Sequence, residues 1–449
     1  MDGTLTNNGQ LALDLHDVTQ SATLTATGGF QNNGGFNFEA NSVLNANVTN
    51  GGASNASANF SAQNGAGTLV TLNNNMDNFA GVNLSSLGGA GSTLTENGDF
   101  TNETTGTLTV VGSNLTINGT GTAFNNAGNV SITEDVNGPT VPISHVGITG
   151  GVINQTTGTI TMEDAAVTVT GDVDNNGTVN IKRDSGHVNV ASNVTVNGTL
   201  TNETGANLNV ANSTLTVSGP TTNNGTVNVT NVSTMWFGTS TNNGAYHSEP
   251  STNTFTNLIE GANGYLTGTS GDVFRVTGNF INDSTQNTLG DTSASTLEFS
   301  TGTRRTHEFG LAGLDMGAVS TGFIDNFAWD LPDLDSGNTL DLESTSTTFT
   351  NALYVSMLEG LTFSGDDISN IFGDGLNIYY NPTDDTGLND EVFALENGGY
   401  LCPIGASRCT LSTSQPPTGV PEPSSALLFG AGLAGLAAFA GCRRRHHVA

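Results

Sequence analysis

The chain of 449 residues carries forty Asp and Glu against nine Lys and Arg, a formal net charge of −31, although charged residues make up only 11% of it. Three of the cations stand together near the C-terminus, which leaves Lys182, Arg183, Arg275, Arg304, Arg305 and Arg408 for everything before. Phosphate binding needs clustered Lys and Arg, so nucleic acid is excluded as a partner; the acidic surface favours solubility and attracts divalent cations.

The chain opens on Met1-Asp2-Gly3, with neither the basic start nor the apolar core of a signal peptide. Its first phrase, GTLTNNGQLAL, resembles the internal GTLTNETGANL of residues 198–208. The expectation is therefore a chain that begins inside a repeat, with an export signal and a capping segment missing from its start, or a mis-assigned start codon. Residues 1–95 read as an irregular Gly/Ala/Asn-rich β-repeat region.

From 96 to 301 a unit recurs: an Asn-rich turn, then a short strand alternating apolar and polar residues, as in TNETTGTLTV ending at Val110 and VDNNGTVNI ending at Ile181. The turns restart at Asn102, Asn125, Asn154, Asn175, Asn202, Asn223 and Asn242. Their gaps of roughly twenty to thirty residues suit one coil of a solenoid. Pairs such as Leu115/Ile117, Val167/Val169 and Leu215/Val217 give a period of two, one face inward and one outward. Asn-Gly supplies the positive φ of sharp corners, and stacked Asn side chains can ladder along the axis. The fold class expected is all-β: a right-handed parallel β-solenoid (β-helix), with antiparallel sandwich repeats and a disordered spacer as competitors.

Residues 302–411 are more acidic and aromatic, with Phe323, Phe327, Trp329, Tyr354, Phe363, Tyr379 and Tyr380. They are expected to form a β cap module closing the solenoid, continuation of degenerate coils being the alternative. DLDSGN offers Asp333, Asp335 and Asn338 as a weak calcium candidate, without the spacing or late Glu of an EF-hand. No catalytic residue, cofactor or zinc site is expected. His16, His145, His247 and His307 are isolated, and Lys182-Arg183-Asp184 with His187 is the only basic spot among the repeats. A polysaccharide lyase or hydrolase would require that spot to meet carboxylates from adjacent coils.

Residues 412–419, with Pro416-Pro417, read as a linker to the tail of residues 420–449. There Pro421-Glu422-Pro423 precedes an apolar stretch, 426–441, which predicts a transmembrane helix of roughly 24–27 Å, just short of the hydrocarbon core. Arg443, Arg444 and Arg445 follow as a stop signal that stays cytoplasmic, placing the body outside. Ala and Gly make the helix weakly hydrophobic, so it is expected to be a transient anchor.

The order Pro421-Glu422-Pro423, short apolar helix, arginine cluster resembles the PEP-CTERM sorting signal of Gram-negative bacteria. That resemblance implies recognition by an exosortase, a membrane-embedded protease, with an inner-membrane intermediate and then release to the cell surface or extracellular matrix. The repeats resemble β-helical autotransporter and filamentous-haemagglutinin-like adhesins, an analogy of fold. The function expected is an exported, non-catalytic structural or adhesive protein, with extracellular polysaccharide as a candidate partner; a polysaccharide-active enzyme and a passive spacer are the alternatives. In an exported protein Cys402 and Cys409 are expected to form a disulfide, free thiols being the alternative.

Overall fold

In a short strand of alternating residues, every second side chain can be buried and the chain must then turn. The computed structural model repeats that motif through the described residues. It describes residues 3–13, 21–39, 41–52, 58–63, 68–86, 91–135, 143–184, 191–300, 306–407 and 409. The chain divides into two units, Met1–Thr410 and Leu411–Ala449.

Up to Thr267 the coils of the first unit contribute strands to three faces. The first face is built of three-residue stretches such as Leu5–Asn7, Phe30–Asn32, Val48–Asn50 and Met76–Asn78, all parallel and in register at their final Asn. We call it the Asn face. A sharp turn leads to the middle face, a 12-stranded sheet from Gln10–Leu13 to Tyr265–Thr267. The Ser face follows, named for the buried Ser at its entrance (Ser92, Ser113, Ser144, Ser192, Ser213, Ser233). It includes Thr93–Glu96, Asn193–Val196 and Thr214–Val217, and it leads back to the Asn face one coil further on. Pairing is parallel between coils throughout these faces, which is the arrangement of a parallel β-solenoid.

Inward positions are aliphatic or aromatic, and the Asn at the end of each Asn-face strand is buried with them. From Asn7 through Asn32, Asn50, Asn78, Asn102, Asn126, Asn154, Asn175, Asn202 and Asn223 to Asn242, each Nδ2 donates to the Oδ1 of the next at 2.7–2.9 Å. The same Nδ2 also donates to a middle-face carbonyl of the following coil, as from Asn50 to Gly81 O at 2.8 Å and from Asn223 to Ala245 O at 2.9 Å. A carboxamide is both donor and acceptor, so identical copies satisfy one another where stacked carboxylates would repel. The ladder thus pins the corner between two faces without an apolar residue. Glycine after the turn is a packing requirement: a Cβ on Gly128 would lie 2.3 Å from Gly106 O, and one on Gly177 2.3 Å from Gly158 O.

Two boundaries expected from composition carry no break in pairing. The described strands before residue 95 pair in the same way as those that follow, with Met76–Asn78 in register with Phe100–Asn102 and Leu69–Leu72 with Thr93–Glu96. Their strands hold Phe30, Phe36, Phe38 and Phe60 in one interior cluster, with ring centroids 4.7–5.4 Å apart. At 302 the coils likewise continue: Phe280–Asn282 pairs parallel with Thr306–Leu311, Thr306–Leu311 with Thr339–Ser344, and Ala352–Val355 with Asn377–Tyr380. The middle face stops at Thr267, and the core switches to Phe274, Phe280, Phe299, Phe309 and Trp329. Across this change in composition the parallel pairing continues while the filling becomes aromatic. Among the described residues antiparallel strand pairs occur at the far end, Phe363–Ser364 with 367–368 and Phe393–Glu396 with Tyr400–Pro403, and an isolated antiparallel bridge joins Leu314 and Asn351.

Candidate functional site

Pro421, Glu422 and Pro423, the apolar stretch 426–441 and Arg443, Arg444 and Arg445 lie outside the described residues. What the structure places is the end of the coil stack before them. Cys402, in the strand Tyr400–Pro403, is joined to Cys409 by a disulfide with a Cα–Cα separation of 6.4 Å. The pair packs with Ala328, Ala352, Tyr354 and Tyr379 in a small satellite core. Tyr354 donates to Gly317 O at 2.8 Å and accepts from the Met316 N–H at 2.9 Å. Tyr379 donates to Asp315 Oδ1 at 2.8 Å, and the Gly405 N–H donates to Ala318 O at 2.9 Å. Residues 315–319 and the last strand are thereby tied together.

The calcium candidate does not assemble as a ligand set. Asn338 is buried, and its Nδ2 donates to Phe299 O at 2.9 Å, so its side chain closes a turn. Asp333 faces outward in register with Glu298 and bridges to Glu359. Burial raises its pKa, and the charges of Glu359, Glu298 and Asp335 raise it further. Arg275 takes up part of this charge by pairing with Glu298 through Nε at 2.7 Å and Nη2 at 2.8 Å. Among the described residues no group of three or more His, Cys, Asp or Glu is placed to hold a metal.

Around the basic spot, Lys182 Nζ lies 2.9 Å from Glu163 Oε2 of the preceding coil, both on the outer surface. The Asp184 N–H donates to Asp164 Oδ2 at 3.2 Å. Burial raises the Asp164 pKa and the Asp184 amide lowers it, with smaller contributions from Glu163, Asp184 and, in the opposite sense, Arg183. His187 lies outside the described residues. Of the other histidines, His145 is exposed, His247 Nδ1 is 2.8 Å from Thr267 Oγ1, and His307 is buried with Nδ1 2.6 Å from Gly278 O.

The most perturbed carboxyls were not legible as such in the sequence. Glu96 occupies an inward position in register between Leu72 and Ile117. Burial raises its pKa to about 9, the Gly98 amide offsets part of this, and the Asp99 charge adds to it; neither oxygen has a partner in hydrogen-bonding geometry. Glu260 takes the place of the next Asn in the ladder, accepting from Asn242 Nδ2 at 3.0 Å. Burial raises its pKa to about 8, the bond from Asn242 partly offsetting it. In the serine column Asp272 stands between Ser251 and the buried Ser295, accepting from the Ser251 N–H at 2.7 Å and from the Thr269 N–H at 2.6 Å. On the outside, Asp341 is raised to about 6 by burial and by the hydrogen bond and charge of Asp374, with Glu343 and Glu308 adjacent. The period-two pattern marks position 96 as inward, but nothing local to Glu96 or Glu260 distinguishes it from a solvated Glu.

The outer faces are uncharged lattices over long stretches. Thr71, Thr95 and Thr116 form one outward column of the Ser face, and Thr168, Thr195 and Thr216 continue it after Gly147. Trp236, 47% exposed, follows in register before Thr254. On the middle face Asn209 Nδ2 donates to Asn180 Oδ1 at 2.9 Å and Asn228 Nδ2 to Asn209 Oδ1 at 2.8 Å.

No curated protein and no solved structure matches the chain. Residues 419–445 match the family model described as the PEP-CTERM protein-sorting motif. The chain therefore ends in a PEP-CTERM sorting motif, which supports an exported protein sorted by an exosortase.

Proposed function

We propose that this chain is a non-catalytic structural or adhesive component of a bacterial cell surface or extracellular matrix. The observation that carries the reading is the sorting motif at residues 419–445 behind a continuous β-solenoid. In this reading the segment 426–441 spans the inner membrane transiently with Arg443, Arg444 and Arg445 inside, and an exosortase removes it. The solenoid then presents its Thr and Asn columns to extracellular polysaccharide: hydroxyl and carboxamide groups match sugar hydroxyls, and an acidic chain with few cations adds little attraction for anions. Trp236 offers an exposed ring face to a sugar within that column. The experiment is surface display in a host with an exosortase. Substituting Pro421, Glu422 and Pro423 together by Ala should leave the protein at the inner membrane; unchanged display would contradict the reading. Trp236→Ala should weaken retention on the host's extracellular polysaccharide and leave the fold intact.

One observation favours a second reading. Carboxylates of the adjacent coil, Glu163 and Asp164, do sit beside Lys182 and Arg183, as a polysaccharide-active enzyme would need. Against it, Lys182 is spent on a solvated ion pair, 43% exposed, of the kind that adds little even to stability. Release of unsaturated or reducing ends from an acidic polysaccharide, abolished by Lys182→Ala, would establish the enzyme.

A further inference from the structure

The bore of the solenoid is not evenly filled. Toward the N-terminus the buried inward side chains include Phe30, Phe36, Phe38, Phe60 and Phe100, with Phe124 lining the end of the space that follows, and beyond Met235 they include Phe237, Phe255 and Phe274. Between these plugs the inward positions are mainly Val and Ile. The distance between faces is set by backbone pairing and corner geometry, so shorter side chains leave the axis empty where the faces cannot move in. The space left is a cavity of about 70 Å³ running from Leu108 to Leu215. On the middle face it passes Leu108, Val130, Ile160, Val179 and Leu208, one residue from each of five successive coils. At a strand spacing of about 4.8 Å that is a length of about 19 Å, so the cavity is long and narrow.

Burial records the same void independently. Ile148, Ile160 and Val179 face inward yet keep 6, 7 and 8% of their surface accessible, whereas Phe100 and Met235, in the filled coils on either side, keep 0%. Of the lining residues only Asn175 is polar. Its Oδ1 accepts from Asn154 Nδ2 at 2.8 Å, and its Nδ2 donates to Asn202 Oδ1 at 2.7 Å and Asn207 O at 3.0 Å. A buried water needs two to four polar partners, and apolar cavities of this kind stay dry.

We propose that the bore between residues 108 and 215 is a binding site for small apolar guests, monatomic or unbranched: noble-gas atoms or short hydrocarbon chains, not aromatic rings. An apolar cavity of about 150 Å³ accepts benzene or xenon; this one has about half that volume spread along an axis, which suits a narrow guest. Binding should be governed by dispersion and shape, with no polar contact to fix orientation. The site lies wholly in the interior, so it is independent of the outer faces and of the sorting motif.

The test is ¹²⁹Xe NMR of the full chain under xenon pressure, with Val179→Leu and Val179→Phe beside wild type and Thr161→Val as a surface control. The proposal expects a saturable xenon shift in wild type and in Thr161→Val, reduced in Val179→Leu and lost in Val179→Phe. Should Val179→Phe fail to fold, the reduction in Val179→Leu carries the test. No saturable shift in wild type, or a shift equal in wild type and Val179→Leu, would overturn the proposal.

Discussion

Asn242 passes the end of an eleven-membered carboxamide ladder to a carboxyl: its Nδ2 donates to Glu260 Oε2 at 3.0 Å inside the core. Every earlier rung meets an identical partner. At this rung the partner can ionise, in the last part of the stack that still has three faces.

That substitution gives stability a pH dependence. Glu260 has its native pKa raised from 4.5 to about 8 and Glu96 from 4.5 to about 9. As pH rises above 4.5 the unfolded chain releases these protons while the native chain keeps them, so the native state binds more protons and stability falls. The stability contributed by the raised pKa is fully present below pH 4.5 and is lost by pH 8 for Glu260 and by pH 9 for Glu96. Each group is expected to account for on the order of 5–6 kcal/mol over its window. Thermal melts at stepped pH should show a falling Tm across this range. Glu260→Gln, which keeps an acceptor for Asn242, should flatten its share; an unchanged slope would show that Glu260 is ionised in the native protein.

Glu96→Leu should stabilise the protein at neutral pH. The position lies between Leu72 and Ile117, and the carboxyl there has neither oxygen satisfied. An isolated buried polar group costs about 1–3 kcal/mol and Leu restores the apolar column. A gain of about 2 kcal/mol by denaturant titration is expected, and a loss of stability would contradict the burial described.

Within the ladder, Asn154→Ala removes in one step the ladder acceptor of Asn126 Nδ2 and the ladder donor to Asn175 Oδ1, leaving each with longer bonds, the nearest at 3.2 Å to Gly128 O and from the Gly177 N–H. A cost of roughly 2–4 kcal/mol is expected. Each coil contacts chiefly its neighbours, so hydrogen exchange should accelerate in the coils around residue 154 before it does so near either end. Asn97→Ala, in the exposed ladder Asn73–Asn97–Asn118, should cost less than about 0.5 kcal/mol.

Reducing the Cys402–Cys409 disulfide, or replacing both residues by Ser, opens a short loop at the end of the stack. A loss of about 2 kcal/mol follows from closing so few residues. Proteolysis after reduction should begin within residues 400–409, leaving the coils around Asn154 protected.

Much of this architecture could be read from residue order. Alternation at Leu115/Ile117 and Leu215/Val217 places both members of each pair inward, and Asn102, Asn154, Asn175, Asn202, Asn223 and Asn242, which mark turns in the sequence, are the rungs of the ladder. At Asn125 the rung is its neighbour Asn126, because the ladder residue is the last of the strand and not the first of a polar run. Asn7, Asn32, Asn50 and Asn78 are rungs of the same ladder that the reading of turns from Asn102 onward did not include. After 302 composition alone leaves a cap module and continuing coils equally open. Aromatic filling changes composition as a new domain would, although strand pairing does not change. Where Asn338 points could not be foreseen, since a Gly-Asn turn suits both a cation loop and a buried cap.

The most direct measurement of the central claim is the intact mass of the protein recovered from the surface or matrix of an exosortase-bearing host. The account predicts a chain that ends at or near Pro421-Glu422-Pro423, with the apolar segment 426–441 and Arg443, Arg444 and Arg445 gone. Recovery of surface protein extending through Ala449 would contradict it.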